Sequence, residues 1–285
     1  MNVWIEAARP RTLSAGIAPV LVGTAAAEEF SAWRFVAALI VGLCIQIGVN
    51  YANDLFDAER GIDTEERLGP RRAVAAGLVS PARMRVALVI VLVIAGAAGL
   101  ALALATTFWL LVVGLLCFAA LLGYSGGPRP YASAGLGEVF VFVFFGLVST
   151  VGSAFVQDEA ITVVAVVAAV PVGLLAVALL VVNNLRDMST DRAAGKLTLA
   201  VRLGEARTKG LYTGLLVSTP PAVIALVTVD GSYWPLLGLG CAPLLVRAGR
   251  IVGPASGLRL VPALAATALA QAVLAALLAV GLWIS

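Results

Sequence analysis

The chain has no histidine among its 285 residues, which removes imidazole catalysis and histidine-ligated zinc from consideration. Its three cysteines, Cys44, Cys117 and Cys241, each stand alone in an apolar run. They offer no CxxC metal site and no disulfide framework, and read as packing residues. Charge is scarce too: charged residues make up 12% of the chain and hydrophobic ones 61%, against roughly 25% and 45–50% in an average soluble domain. With a mean hydropathy of +1.03, this is the composition of an integral membrane protein. Met1 to Pro10 carries Glu6 and Arg9 ahead of the first apolar stretch and shows no cleavage-site pattern, so no signal peptide is expected. No nucleic-acid partner is expected either.

What is present in quantity is long uncharged apolar sequence. Measured against the roughly 17 to 25 residues of a spanning helix, it divides into stretches near Thr12–Ala27, Phe35–Ala52, Val86–Ala105, Phe108–Tyr124, Leu136–Val156, Ile161–Asn184, Gly210–Val229, Tyr233–Val246 and Leu260–Ile284. The Tyr233–Val246 stretch is short and carries Pro235 and Pro243, but the loop charges argue for keeping it. With nine spans, 18 of the 19 basic residues fall on one side and only Arg34 on the other. Dropping that span would send Arg247, Arg250 and Arg259 across, against the bias of every other loop. The expectation is an all-α, multi-pass protein of the cell membrane with nine transmembrane helices, a cytoplasmic N-terminus and an outer C-terminus.

Two aspartate-bearing segments follow directly on apolar runs, the second and the sixth: Asn50-Tyr51-Ala52-Asn53-Asp54-Leu55-Phe56-Asp57 and Asn183-Asn184-Leu185-Arg186-Asp187-Met188-Ser189-Thr190-Asp191. The nine-span topology puts both on the cytoplasmic side. Each has an Asn four residues before an Asp, and each is followed by Arg-Leu-Gly, at Arg67–Gly69 and Arg202–Gly204. Residues three or four apart share a helix face, oxygen ligands of this kind hold hard cations such as Mg²⁺, and Mg²⁺ binds phosphate. The weak internal repeat implies two four-helix units plus a ninth helix, with both acidic ends over one central cavity.

A single loop aspartate is ordinarily just solvated; two clusters of the same make on one side are hard to obtain from solvation alone. Topology signalling accounts for Arg83, Arg85, Arg207, Lys209 and the Arg247 to Arg259 group. It accounts less well for Lys196, Arg67, Arg71 and Arg72, which lie within a few residues of the acids. Glu138 opens the fifth span, where it either snorkels or takes part in function. Tyr51, Phe56, Tyr124 and Tyr131, at the cytoplasmic helix ends, fit interfacial anchoring.

At these residues the chain resembles the UbiA superfamily of intramembrane prenyltransferases, whose marks are Asn-Asp-x-x-Asp-x-x-x-Asp after the second helix and Asp-x-x-x-Asp after the sixth. The first reads Asn53-Asp54-Leu55-Phe56-Asp57 and continues to Gly61-Ile62-Asp63, with Gly61 where the last Asp is expected; the second is intact as Asp187 to Asp191. Softer spellings are similar to the naphthoate branch of menaquinone biosynthesis: Ala8-Arg9-Pro10-Arg11-Thr12-Leu13, Arg67-Leu68-Gly69-Pro70, Tyr124-Ser125-Gly126-Gly127-Pro128 and Gly195-Lys196-Leu197-Thr198-Leu199-Ala200. The resemblance runs from Arg9 to at least Gly204. It implies Mg²⁺-dependent transfer of a polyprenyl group from polyprenyl pyrophosphate to 1,4-dihydroxy-2-naphthoate, with loss of the ring carboxylate. It further implies Asp57, Asp187 and Asp191 as the catalytic metal-binding acids, joined in the metal site by Asn53, Asp54, Asp63 and Asn183. Arg67, Arg71, Tyr124, Arg129 and Lys196 would bind substrate, and the prenyl tail would enter an apolar cavity from membrane lipid.

Within that family the alternative acceptors are 4-hydroxybenzoate and homogentisate. A secondary transporter for a lipid, or one coupled to cations, is the reading from another class. Transporters place their ionisable groups at the bilayer midplane in broken helices, whereas the apolar cores here are essentially free of charge, which favours an interfacial enzyme.

Overall fold

The computed structural model describes residues 2–62 and 72–285. Asp63, Arg67 and Arg71 of the expected site lie outside that range, as does the Arg67-Leu68-Gly69-Pro70 spelling. Among the described residues every regular element is helical: α1 Val3–Ala8, α2 Ser14–Ala25, α3 Ala32–Glu59, α4 Pro81–Ala105, α5 Trp109–Ser125, α6 Gly137–Val141, α7 Ser149–Asp158, α8 Val163–Ala193, α9 Leu199–Leu203, α10 Glu205–Asp230, α11 Ala242–Val252 and α12 Val261–Trp283. A π-helical stretch, Phe142–Val148, fuses α6 and α7 into one rod, and 3-10 turns lead into α11 and α12.

Seven rods are long and apolar enough to cross a membrane: α3, α4, Gly137–Asp158, α8, α10, Trp234–Val252 and Gly257–Trp283. The chain is therefore a polytopic all-α membrane protein. All nine expected stretches fall in helix, but α2 and α5 are too short to be counted as crossings. Their 12 and 17 residues reach roughly 18 and 26 Å at 1.5 Å per residue, below the ~30 Å hydrocarbon core. The Tyr233–Val246 stretch does form a rod despite its prolines, because Pro235 and Pro243 each sit in the first turn of a helical segment, where the missing N–H has no intrahelical acceptor to lose.

Helix α8 is the axis of the bundle. Leu175, Ala178, Val181 and Val182 on it are at most 1% exposed, and it packs against α2, α10, α12 and the π-helical stretch. Pro171 lies inside it without ending the helix, as prolines within membrane helices commonly do. Against α8 the π-helical stretch comes unusually close: a Cβ on Gly146 would lie 2.8 Å from the Cα of Gly173, so no side chain fits at that crossing. Helix α5, by contrast, packs closely on α3 and α4 and only loosely on the Gly137–Asp158 rod, which it meets where Tyr124 lies against Gly137.

Both acidic segments ride on helix. Helix α3 continues past Ala52 to Glu59, and α8 past Asn184 to Ala193. Asn50, Asn53, Asp54, Asp57, Asn184, Asp187 and Asp191 are all buried. One face of the last turns of these helices thus lies inside the fold, where interior partners satisfy its polar groups, while Glu59, Ser189 and Arg192 are exposed.

Candidate active site

Asp57, four residues beyond Asn53 on α3, is 1% exposed. Its Oδ2 accepts from Lys196 Nζ at 2.7 Å and from the Arg72 guanidinium at 3.3 Å. Lys196 stands in the turn that leaves α8 and donates its backbone N–H to the Asp191 carbonyl at 2.8 Å. Asp57 and Lys196 are 139 residues apart in sequence, so this one ion pair joins the first acidic segment to the chain just beyond the second. Glu138, Asp57 and Asp191 all act electrostatically on the Tyr124 phenol, so carboxylates of both segments lie toward the end of α5.

The second segment has its own internal cation. Arg186 forks the adjacent carboxylate, Nε to Asp187 Oδ1 at 2.7 Å and NH2 to Asp187 Oδ2 at 2.6 Å, and also donates to Asn183 Oδ1 at 2.9 Å. Asp191, one turn on and buried, shares the Asp187 face. Asn184 points elsewhere and donates to the buried Glu138 carboxylate at 3.1 Å. Asn53 Oδ1 accepts from Ser125 Oγ at 2.6 Å, which ties the end of α5 to α3. There a Cβ on Gly126 would come within 2.8 Å of the Phe56 ring, so the Tyr124–Pro128 spelling needs glycine for close packing. Arg129 is exposed in the turn that follows. Asp54 is turned to the backbone, with both oxygens accepting amides of Ala73 and Val74.

Beside this polar cluster opens a cavity of about 460 Å³. Asn50, Asn53, Tyr124 and Asn183 line it at one end and Ala38, Leu102, Leu110 and Val156 at the other. From Ala38 to Asn53 along α3 is about 22 Å at 1.5 Å per residue, so the cavity runs down most of an apolar slab. Phe140, Phe144, Phe145 and Val148 form one wall and the α5 residues Val113 to Phe118 the other. The gap in packing between α5 and the Gly137–Asp158 rod lies between these walls. Tyr131 stacks on Phe140 at 4.0 Å between centroids and meets Tyr124 edge-on at 5.4 Å. Burial pushes the Tyr131 phenol above its ordinary pKa, so it stays neutral.

Among the described residues no three carboxylates stand close enough to hold a metal ion by themselves. The donors are nonetheless oxygen on both sides, and Mg²⁺ characteristically takes only one or two carboxylates and completes its shell with phosphate and water. The donor chemistry fits Mg²⁺ bound together with a phosphate-bearing partner.

Four residues were not singled out from sequence as site groups. Arg186 counted there only as a loop cation, although its place beside Asp187 was a signal. Ser125 lay inside a noted spelling. Asn50 donates to the Ala8 carbonyl at 2.8 Å and to Thr12 Oγ1 at 3.2 Å, pinning the N-terminal segment. Arg9, which lines the cavity, has a left-handed backbone (φ 53°) that sequence does not announce.

The sequence profile of the UbiA prenyltransferase family matches residues 16–259. A relative from Mycobacterium tuberculosis described as 1,4-dihydroxy-2-naphthoate octaprenyltransferase is 44% identical over 274 residues, covering 95% of this chain and 93% of its own. In the fold, a UbiA homolog from Aeropyrum pernix superposes with a TM-score of 0.73 at 17% identity, covering 95% of this chain and 97% of that one. Another, from Archaeoglobus fulgidus and bound to GPP and Mg²⁺, gives 0.62 at 16% identity, covering 96% and 99%.

Proposed function

We propose a specific reaction on a settled premise: this chain belongs to the UbiA prenyltransferase family and is a membrane-embedded prenyltransferase. The reaction is transfer of a polyprenyl group from polyprenyl pyrophosphate to 1,4-dihydroxy-2-naphthoate, with decarboxylation to the quinol, the reduced form of demethylmenaquinone. The observation that supports the site assignment is the Lys196–Asp57 pair, which ties the first acidic segment to the chain just beyond the second, while Asn53 and Asn183 of those segments line the polar end of the apolar cavity. The naphthoate acceptor is supported by the 44% identity to an enzyme so described. The family premise replaces the transporter reading.

Asp57, Asp187 and Asp191, with Asn53 and Asn183, would hold Mg²⁺; Asp63 of the first segment remains a candidate on the sequence pattern. When bound there, the ion would supply Lewis-acid and template chemistry for a pyrophosphate leaving group. Everything else falls to the chain itself. Lys196 and Arg129, with Arg67 and Arg71 from outside the described range, supply cations for phosphate oxygens, Arg as a planar fork and Lys as a point charge. Tyr124 and Tyr131 present neutral rings beside the reacting carbon, where a developing allyl cation is attracted to aromatic faces. The apolar cavity excludes the water that would consume that cation and takes the isoprenoid tail, which enters between α5 and the Gly137–Asp158 rod. The acceptor's ring carbon then bonds to C1 of the prenyl chain, its carboxyl carbon leaves as CO₂, and the bonding electrons return to the ring.

We further read the bundle as nine membrane helices in two pseudo-repeats plus a last helix. In support, the helix bearing each acidic segment packs most extensively on the long helix that follows it, α3 on α4 and α8 on α10. On the charge bias the acidic ends and N-terminus face the cytoplasm and the C-terminus faces outside. The test of the reaction is a prenylation assay in membranes with Mg²⁺, polyprenyl pyrophosphate and a panel of aromatic acids. Naphthoate should be the best acceptor; preference for 4-hydroxybenzoate or homogentisate would reject the acceptor assignment.

A further inference from the structure

Asp54 is the residue whose geometry departs most from its expected duty. It is 2% exposed, and both of its oxygens are engaged: Oδ2 accepts the Ala73 amide at 2.8 Å and Oδ1 the Val74 amide at 2.9 Å. One residue beyond Asn53, it projects about 100° round the helix from it. Asn53 turns its oxygen to Ser125 and Asp57 turns Oδ2 to Lys196, whereas Asp54 turns both oxygens to backbone amides. Both oxygens are thus aimed at the backbone of the 72–79 segment, and a metal ion there would have to share them with two buried amides.

The amides that Asp54 holds open a tight turn. The Ala76 amide donates to the Arg72 carbonyl, and the amides of Leu78 and Val79 both donate to the Ala73 carbonyl. Ala73, Val74 and Val79 are buried in one cluster with Tyr51, Leu55 and Met84. Arg72, the first residue of the turn, is itself 5% exposed and reaches back to Asp57 Oδ2 at 3.3 Å. The path closes on itself: from Asp54 on α3, through the Ala73 and Val74 amides, to the Arg72 side chain, to Asp57 one turn further along α3. A carboxylate accepting the first free amides of a helical turn is the arrangement of an N-cap, and here it fixes where the neighbouring guanidinium points.

We propose that Asp54 is a positioning residue and not a metal ligand: it clamps the Arg72–Val79 turn so that Arg72 is set on Asp57, beside the place where the pyrophosphate group binds. The inference rests on the pyrophosphate reading of the Asp57–Lys196 end, but not on the identity of the acceptor.

The test uses the full-length protein in detergent with two probes, Mn²⁺ followed by electron paramagnetic resonance and inorganic pyrophosphate followed by direct binding. Asp54→Asn should bind Mn²⁺ within about twofold of wild type, while Asp57→Asn should lose it at least tenfold. For pyrophosphate, Asp54→Asn and Arg72→Ala should each weaken binding roughly tenfold, the scale of one charge-assisted hydrogen bond. Because the first acts through the second, the double variant should be no weaker than Arg72→Ala by more than about twofold. Should Asp54→Asn fold poorly, Ala73→Pro removes one of the clamped amides while leaving Asp54 in place, and should reproduce its pyrophosphate defect. The proposal is overturned if Asp54→Asn loses Mn²⁺ as Asp57→Asn does, if the two defects multiply, or if the clamp variants bind pyrophosphate as wild type does. A wild type that binds pyrophosphate but no Mn²⁺ would count against the metal reading of the site, and the pyrophosphate cycle would then decide Asp54 by itself.

Discussion

Replacing Lys196 by alanine isolates the contact that joins the two halves of the site. Lys196 is 9% exposed and Asp57 1%, and their 2.7 Å bond lies inside the fold. Removing one member of a buried ion pair costs about 3–5 kcal/mol, because the other charge is left without compensation. Arg72 remains on the same Asp57 oxygen at 3.3 Å, so the expected loss is at the low end, about 3 kcal/mol. Catalysis should suffer on a similar scale. A charge-assisted bond to a phosphate oxygen contributes about 1.5–3 kcal/mol, which is a fall of roughly 10- to 150-fold in kcat/KM for the prenyl donor. The two effects separate in a variant that also removes the charges Lys196 leaves behind. Lys196→Ala with Asp57→Asn and Arg72→Gln leaves no charge of this trio stranded, so thermal unfolding in detergent should return toward wild type while turnover stays lost. A Lys196→Ala protein with wild-type unfolding and kcat/KM within twofold would refute the argument.

Other expectations are independent of that pair. Asp57→Ala, Asp187→Ala and Asp191→Ala should each abolish turnover with membrane insertion and detergent extraction unchanged; full activity in one would remove that residue from the site. EDTA should inactivate the enzyme and Mg²⁺ restore it, and turnover persisting in thoroughly chelated membranes would rule the metal out. In a background lacking Cys44, Cys117 and Cys241, a cysteine at Ser189 should label from the cytoplasm and one at Ala160 from outside, the reverse pattern inverting the topology. At the far end of the cavity, Ala38→Phe should lower kcat/KM for long prenyl donors more than for short ones; an equal effect on both would separate that end from the tail.

The helices were legible because apolar runs of spanning length have few other readings, and the acidic segments because an amide and a carboxylate four apart recur after two of those runs. The helix ends were not legible. Polarity after Ala52 and Asn184 reads as an exit from the membrane, whereas both helices continue to Glu59 and Ala193, since tertiary partners that no local window contains satisfy their polar groups. The backbone contacts of Asp54 were hidden for the same reason: its oxygens accept amides 19 and 20 residues on, in a turn that has to fold back first. Arg186 and Asp187 are neighbours that a helix ordinarily splays by about 100°, and only the length of the arginine side chain lets it fork the carboxylate. The π-helical stretch is a further case. Phe142 to Val148 lies in the uninterrupted apolar Leu136–Val156 run, which reads as ordinary helix, whereas its closest packing, Gly146 on Gly173, comes from a different rod. Seven crossings by length against nine expected reflects α2 and α5, whose apolar sequence is continuous with connections that the fold uses as turns.

The central claim is decarboxylating prenylation of a naphthoate, and it is tested most directly by following the acceptor's carboxyl carbon. With 1,4-dihydroxy-2-naphthoate labelled in that carbon, polyprenyl pyrophosphate and Mg²⁺, purified enzyme should release labelled CO₂ in step with product, one for one, because the new bond forms at the carbon that bears the carboxyl group. Prenylated product that retains the label, or prenylation of 4-hydroxybenzoate with none of the naphthoate, would contradict the account.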